Sequence, residues 1–181
     1  MLSKKSKTNI IIITLSACIL VAFLAIGIYA FFPCKYRNHI EKICNNTPIA
    51  PHLVYAVIRC ESSFDINKVS NKGAVGLMQI MPKTSEYISK LFFAERKFNL
   101  FNPSDNVLLG ITYLTYLFDK FKDEKVVLAA YNAGEGRVCE WLDTKEFSID
   151  GKTLKVIPFK ETANYVEKVL LYKNFYKILW P

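Results

Sequence analysis

Leu53-Val54-Tyr55-Ala56-Val57-Ile58-Arg59-Cys60-Glu61 is an apolar run that ends on an acid. A polar loop, Ser62 to Val75, follows it and closes on Gly76-Leu77-Met78-Gln79. Leu53, Val54, Val57 and Ile58 recur at helical spacing, so the run predicts a helix that delivers Glu61 at its C-terminal end. Burial there disfavours the charged carboxylate and raises its pKa. An acid that stays protonated near neutral pH can give its proton to a leaving group. The amide-bearing segment after the loop suits the wall of a polar cleft. Together these features point to cleavage of a glycosidic bond, which needs a proton donor at the leaving oxygen.

Working outward, the flanks of this stretch read as mostly helical. Thr47-Pro48 and Pro51 are helix-start signals. Pro82 opens a second helix running through Tyr87 and Ile88 toward Phe93. Asn102-Pro103-Ser104-Asp105 is a turn and cap. It begins the most periodic segment of the chain, with Val107, Ile111, Leu114, Leu117, Phe118 and Phe121 in one apolar stripe. Another helix begins over Val126 to Tyr131 and is interrupted at Asn132-Ala133-Gly134-Glu135-Gly136. The Asp150-Gly151 pair, flanked by Phe147, Ile149, Leu154 and Val156, predicts a small hairpin. Glu161 to Tyr176 reads as a last helix with Val166, Val169, Leu170 and Tyr176 inward. The expected fold class is mainly α with at most one small hairpin.

The chain has 181 residues, room for one domain and an appendage. The appendage runs from Ile10 to Phe32 without a charge. At about 1.5 Å per residue, a helix of that length crosses a hydrocarbon core of about 30 Å. It exceeds the apolar stretch of about 7–15 residues in a cleaved signal peptide. Leu15-Ser16-Ala17-Cys18 resembles a lipoprotein cleavage box, but the residues after Cys18 stay apolar. The expectation is an uncleaved, single-pass signal anchor, with cleaved and lipidated forms as alternatives. The expected division is a cytoplasmic tail over 1–9, the span over 10–32, a polar linker over 33–47 and the domain over 48–181. Lys4, Lys5 and Lys7 favour an inside N-terminus, although Lys35, Arg37 and Lys42 past the span weaken the bias.

The net charge of +8 is spread along the chain and fits either a solvated basic surface or attraction to an anionic polymer or membrane. No aromatic-basic array of the kind that binds single strands is present, so a nucleic-acid partner is not expected. The five cysteines form no CxxC pair, and His39 and His52 do not repeat at ligand spacing, so no metal is expected. Cys60 with Cys139 and Cys34 with Cys44 are possible disulfides in an external domain. The alternative is that Cys60 is a small buried apolar residue.

Four ordered motifs resemble a known family. Glu61-Ser62-Ser63-Phe64 with Ser70-Asn71-Lys72-Gly73-Ala74-Val75-Gly76-Leu77-Met78-Gln79-Ile80-Met81-Pro82 is similar to the catalytic core of the soluble-type lytic transglycosylases. Asn102-Pro103 with Asn106, Gly110 and Tyr113-Leu114 resembles their second motif. Ala130-Tyr131-Asn132-Ala133-Gly134 resembles the third, and Glu161-Thr162-Ala163-Asn164-Tyr165-Val166 the fourth. The resemblance covers Pro48 to Tyr176. It implies a goose-lysozyme-like helical fold and cleavage of peptidoglycan between N-acetylmuramic acid and N-acetylglucosamine, with no cofactor. It also implies that Glu61 protonates the glycosidic oxygen and then acts as base on the muramoyl 6-hydroxyl, giving a 1,6-anhydro end. By position, Ser70 and Gln79 would hydrogen-bond the sugar, and Met78 joins them as a substrate-binding residue. Tyr131 and Asn132 would line the cleft, and Glu161 and Tyr165 would brace it from the last helix.

Plainer roles stand beside these. Ser70 caps a turn, Met78 and Tyr131 are core, Gln79 satisfies buried backbone groups, and Glu161 meets a helix dipole. Glu135 and Glu140 read as surface charges. A hydrolysing muramidase on the same fold, or a non-catalytic glycan-binding wall scaffold, are the competing functions. The expected site of action is the outer side of the cytoplasmic membrane, with peptidoglycan strands as the partner.

Overall fold

Three helices of this chain open on proline, where the missing N–H costs nothing and the fixed φ suits the first turn. They are α3 (Pro51–Glu61), α4 (Pro82–Phe92) and α5 (Pro103–Phe121). The computed structural model describes the backbone of residues 4–181. Within its first helix it describes the side chains of residue 9 and of residues 12 onward. The other helices are α1 (Lys4–Phe31), α2 (Arg37–Cys44), α6 (Glu124–Ala133), α7 (Glu135–Asp143) and α8 (Lys160–Leu179). No strand occurs among the described residues. Two isolated antiparallel bridges, Val69 with Val75 and Val75 with Ile80, are the only β pairing there. The mainly α reading holds.

The caps follow from local chemistry. Asn102 Oδ1 accepts from the backbone N–H groups of Ser104 at 2.9 Å and Asp105 at 3.2 Å, satisfying two orphan donors of α5. Asp123 does the same for Val126 N at the start of α6. Gly134, at φ 94°, lets the chain leave α6 and enter α7 without a break in sequence.

Cys34–Pro181 forms one unit and the residues up to Pro33 another. In the larger unit, α3 is buried from Leu53 through Ile58, and α6 from Val126 through Ala130. A helix apolar on all sides belongs in the middle of a bundle. α8 packs on both α3 and α6, α5 packs on α6, and α4 lies on α5. Each fully buried Leu, Ile or Val contributes about 1.5–3 kcal/mol. Glu61 is the last residue of α3, so the acid sits at the end of a helix that is buried from Leu53 through Ile58.

The smaller unit is α1. Its segment Ile12–Phe31 has a mean hydropathy of 2.5 and is long and apolar enough to cross a membrane by length and composition. The first three residues of the tail read over 1–9 lie outside the described residues, as do the side chains of Lys4, Lys5 and Lys7.

Three readings need correction. The stretch read as a linker, 33–47, carries α2, whose Ile40 is 0% exposed and packs with Cys44 toward α3 and α5. Residues 135–143, read only as an interruption followed by charges, form α7 with Val138, Trp141 and Leu142 buried. The Asp150-Gly151 turn exists, but no hairpin flanks it. Asp150 satisfies the turn itself by accepting from Lys152 N, Thr153 N and Thr153 Oγ1. Ile149 is left 85% exposed, so the alternating pattern has no face to bury. For the cysteines, whose pairing the sequence left open, the unpaired alternative holds: Cys18, Cys34, Cys44, Cys60 and Cys139 are all free thiols.

Candidate active site

The site is built around an arm, residues 62–81, that has almost no regular structure. Two consecutive positive-φ residues, Ser63 at 54° and Phe64 at 67°, turn the chain away from the end of α3. Ser62 is buried and stitches the turn. Its Oγ donates to Leu77 O at 2.8 Å and accepts from Phe64 N at 3.1 Å. Farther along, Val75 and Ile80 exchange backbone hydrogen bonds across the tight turn that holds Gly76 to Gln79.

Asn106, on the first turns of α5 and 0% exposed, holds that turn from outside. Its Oδ1 accepts from Met78 N at 2.8 Å, and its Nδ2 donates to Val75 O at 2.8 Å and Leu100 O at 2.9 Å. The approach is so close that a Cβ on Gly76 would lie 2.4 Å from Asn106 Nδ2, and φ 77° there is a conformation that other residues adopt only with strain. At Gly110 a Cβ would meet Met78 Sδ at 2.3 Å. From α6, the Tyr131 hydroxyl donates to Met78 O at 2.8 Å.

This arm forms one wall of a cleft of about 430 Å³ lined by Glu61, Ser70, Lys72, Gln79, Thr84 and Tyr113. Tyr131, Asn132, Gly134 and Glu161 close the other side. A second cavity of about 570 Å³ lies between α4 and residues 95–100 and does not include Glu61. Size therefore does not select the site; the chemistry of the lining does.

Glu61 opens to the cleft with part of its surface, yet its carboxyl is largely desolvated by the packed end of α3. Burial pushes its pKa from the ordinary carboxylate value up to about 7. The Tyr165 hydroxyl and the Lys68 ammonium oppose that shift. Lys68 is tied down by donating to the Glu61 backbone carbonyl. The Tyr165 hydroxyl is buried and makes no close hydrogen bond, so its hold on Glu61 is a longer-range one. Burial, reinforced by the charge of Glu61, raises the phenol pKa values of Tyr131 and Tyr165, which keeps both rings neutral.

Ser70, Gln79, Tyr131, Asn132 and Glu161 all come to the cleft with Glu61. Tyr165 stands beside Glu61 without lining the opening. Met78 does not line the cleft: its side chain is core, packed over Gly110, and only its backbone serves the site. Several plain roles hold alongside the lining ones. Ser70 Oγ accepts from Ala74 N at 2.9 Å. Gln79, at φ 48°, donates through Nε2 to Lys68 O at 3.0 Å and Gly76 O at 2.9 Å. Asn132 Oδ1 accepts from Thr162 Oγ1 at 2.8 Å, linking α6 to α8.

Lys72 and Tyr113 also line the cleft, and sequence reasoning gave them no role. Ser62 and Asn106 were likewise not seen as positioning residues. No local signal marked either, since Ser62 opens the polar loop and Asn106 follows Ser104-Asp105 at the start of α5. Glu135 is not a simple surface charge, since it pairs with Lys120 and accepts from Tyr116 Oη at 2.9 Å.

The Glu61 carboxyl, with its raised pKa, thus stands on a polar-walled cleft. The family description "Transglycosylase SLT domain" matches residues 38–153. The chain belongs to the transglycosylase SLT domain family. As an SLT domain its helical architecture, with no strand among the described residues, is lysozyme-like. It is 35% identical over 151 residues to the soluble lytic murein transglycosylase of Escherichia coli K12, covering 81% of this chain and 23% of that protein. It is 29% identical over 162 residues to membrane-bound lytic murein transglycosylase C of Actinobacillus pleuropneumoniae, covering 75% of this chain and 44% of that one. The crystal structure of an inactive Glu-to-Gln variant of a lytic transglycosylase from Pseudomonas aeruginosa superposes with a TM-score of 0.70 at 34% identity. That match covers 83% of this chain and 25% of the other. The SLT domain here thus spans about a quarter of the length of the soluble relative.

Proposed function

We propose that this SLT domain is a lytic transglycosylase that cleaves peptidoglycan strands between N-acetylmuramic acid and N-acetylglucosamine. The observation that carries the reading is the Glu61 carboxyl, poised near pH 7 by burial at the cleft. A group with its pKa near working pH can both give and take a proton. In the first step Glu61 donates its proton to the glycosidic oxygen as the bond to the anomeric carbon breaks. In the second, the resulting carboxylate takes the proton of the muramoyl 6-hydroxyl as that oxygen bonds to the same anomeric carbon. The product is a 1,6-anhydro end, and Glu61 is protonated again. An internal nucleophile has a high effective molarity, so no second carboxylate is required. Tyr165 and Lys68 temper the pKa so that the proton can leave.

Ser70, Gln79, Asn132 and Glu161 present the polar groups that hold the strand. Mass analysis of muropeptides released from purified sacculi tests the mechanism. A product lighter by one water than the hydrolysed sugar is expected, and a hydrolysed product overturns it. A hydrolysing muramidase is the second reading, favoured by Glu161, which places another carboxylate on the same cleft. The same mass measurement separates the two.

The apolar Ile12–Phe31 helix and the membrane-bound relative support a further element. In this reading residues 10–32 anchor the protein in the cytoplasmic membrane as a single pass, and residues 48–181 work on the outer side. A membrane-impermeant thiol reagent applied to intact cells should label Cys34; labelling only after lysis would reverse the orientation.

A further inference from the structure

The cleft does not end at its polar lining. Tyr113 lines it and lies 5.4 Å from Tyr131, ring centroid to ring centroid. On its other side Tyr113 stacks at 6.4 Å on Tyr116, with the two rings 14° from parallel. Tyr116 in turn meets Tyr87 at 5.8 Å and Phe92 at 6.2 Å, both edge to face. The row begins beside Glu61 and ends on α4, where Tyr87 is 44% and Phe92 51% exposed. Each step is about the length of one pyranose ring.

Exposed aromatic surface continuous with a site marks an interaction surface. The faces of the rings carry negative potential and attract the slightly positive C–H groups of a sugar face. One edge of the row is polar. The Tyr87 and Tyr116 hydroxyls are 2.9 Å apart, and Tyr116 donates on to Glu135, which Lys120 holds. A lipid surface would gain nothing from that edge, whereas a sugar offers an apolar face and a rim of hydroxyls at once.

We propose that a glycan strand seated in the cleft continues over this row, with Tyr87 and Phe92 as outlying stacking platforms. The inference rests on reading the cleft as glycan-cleaving and adds to it a dependence on strand length.

Size-fractionated glycan strands, stripped of stem peptides, supply the test. For the parent protein, KM should fall as strands lengthen beyond the cleft. The Tyr87→Ser/Phe92→Ser variant should raise KM on long strands about tenfold, with kcat held and short-strand KM much less affected. Both positions are half-exposed, and the single variants serve if the double variant melts early. Equal length dependence in parent and variant overturns the proposal. So does a variant whose only change is weaker association with anionic phospholipid vesicles. If the parent cleaves no strand, the cleft reading fails on its own. The row is then judged by dissociation constants for the same strands, long against short.

Discussion

Residues 62–81 and 144–159 both join helices without regular secondary structure, and they satisfy their backbones in opposite ways. The first borrows partners from elsewhere in the fold. Asn106 on α5 and Tyr131 on α6 reach into it, and Ser62 ties its two ends together. The second is largely self-sufficient: Asp150 caps its own turn, and Lys155 N returns to Phe147 O. The first buries Ser62, Phe64, Val75, Gly76, Leu77, Met78 and Ile80; the second, only Ser148. A segment becomes a precise wall when distant buried side chains fix it, because moving it then breaks tertiary hydrogen bonds rather than local ones.

Substitution should separate the two segments. The largest effect belongs to the acid that the first arm surrounds. Glu61→Gln should lower cleavage by about 10²–10⁴-fold, read from the rate of muropeptide release. The same variant should be the more stable protein at alkaline pH. The folded pKa of Glu61 is about 7 against an ordinary value of 4.5. Between those values the folded state keeps a proton that the unfolded chain releases, so stability falls as pH rises. Above about pH 7 the full cost, about 3 kcal/mol, is present, and Glu61→Gln removes it. Thermal unfolding should show the variant ahead at about pH 8 and level with the parent at about pH 4. Equal stability at both would mean that the carboxyl is not desolvated.

Next in size is Asn106→Ala. It strips partners from Met78 N, Val75 O and Leu100 O and should cost about 3–5 kcal/mol in urea unfolding. A loss under about 1 kcal/mol would show that the arm is held some other way.

Tyr165→Phe is subtler. The hydroxyl favours the ionised form of Glu61, so removing it raises that pKa further. Activity needs the protonated acid, so the descending limb of kcat/KM should move to higher pH. A limb that stays in place would detach Tyr165 from the acid. The smallest effect belongs to the second segment. Asp150→Ala removes only local bonds and should leave the cleavage rate unchanged and the melting temperature close to the parent's. A collapse in either would erase the contrast between the two segments.

Which parts of this molecule were legible from the chain alone follows the same division. Local signals read well. Pro51, Pro82 and Pro103 start helices where expected, Asn102 caps α5, and the α5 stripe from Val107 to Leu117 is buried. Residues adjacent in the motifs, such as Tyr131 and Asn132, come to the cleft together. What failed was tertiary. The polar sequence of α2 hid a one-sided face of Ile40 and Cys44. Gly134-Glu135-Gly136 reads as a breaker, yet Gly134 alone makes the corner and α7 starts at once. Asp150-Gly151 has hairpin chemistry, but a strand pair needs a surface to cover and none is there. The Asn106 bonds span 28 and 31 residues, a distance that periodicity cannot report.

Gln79 carries one more consequence. Two carbonyl acceptors, Lys68 O and Gly76 O, consume both hydrogens of its side-chain amide and forbid the flipped orientation. What remains to face the opening is an oxygen. A ligand group that meets this position must therefore bring its own hydrogen, as a hydroxyl or an acetamido N–H does. A carbonyl or ether oxygen set there would be repelled, so the wall selects for polarity as well as shape.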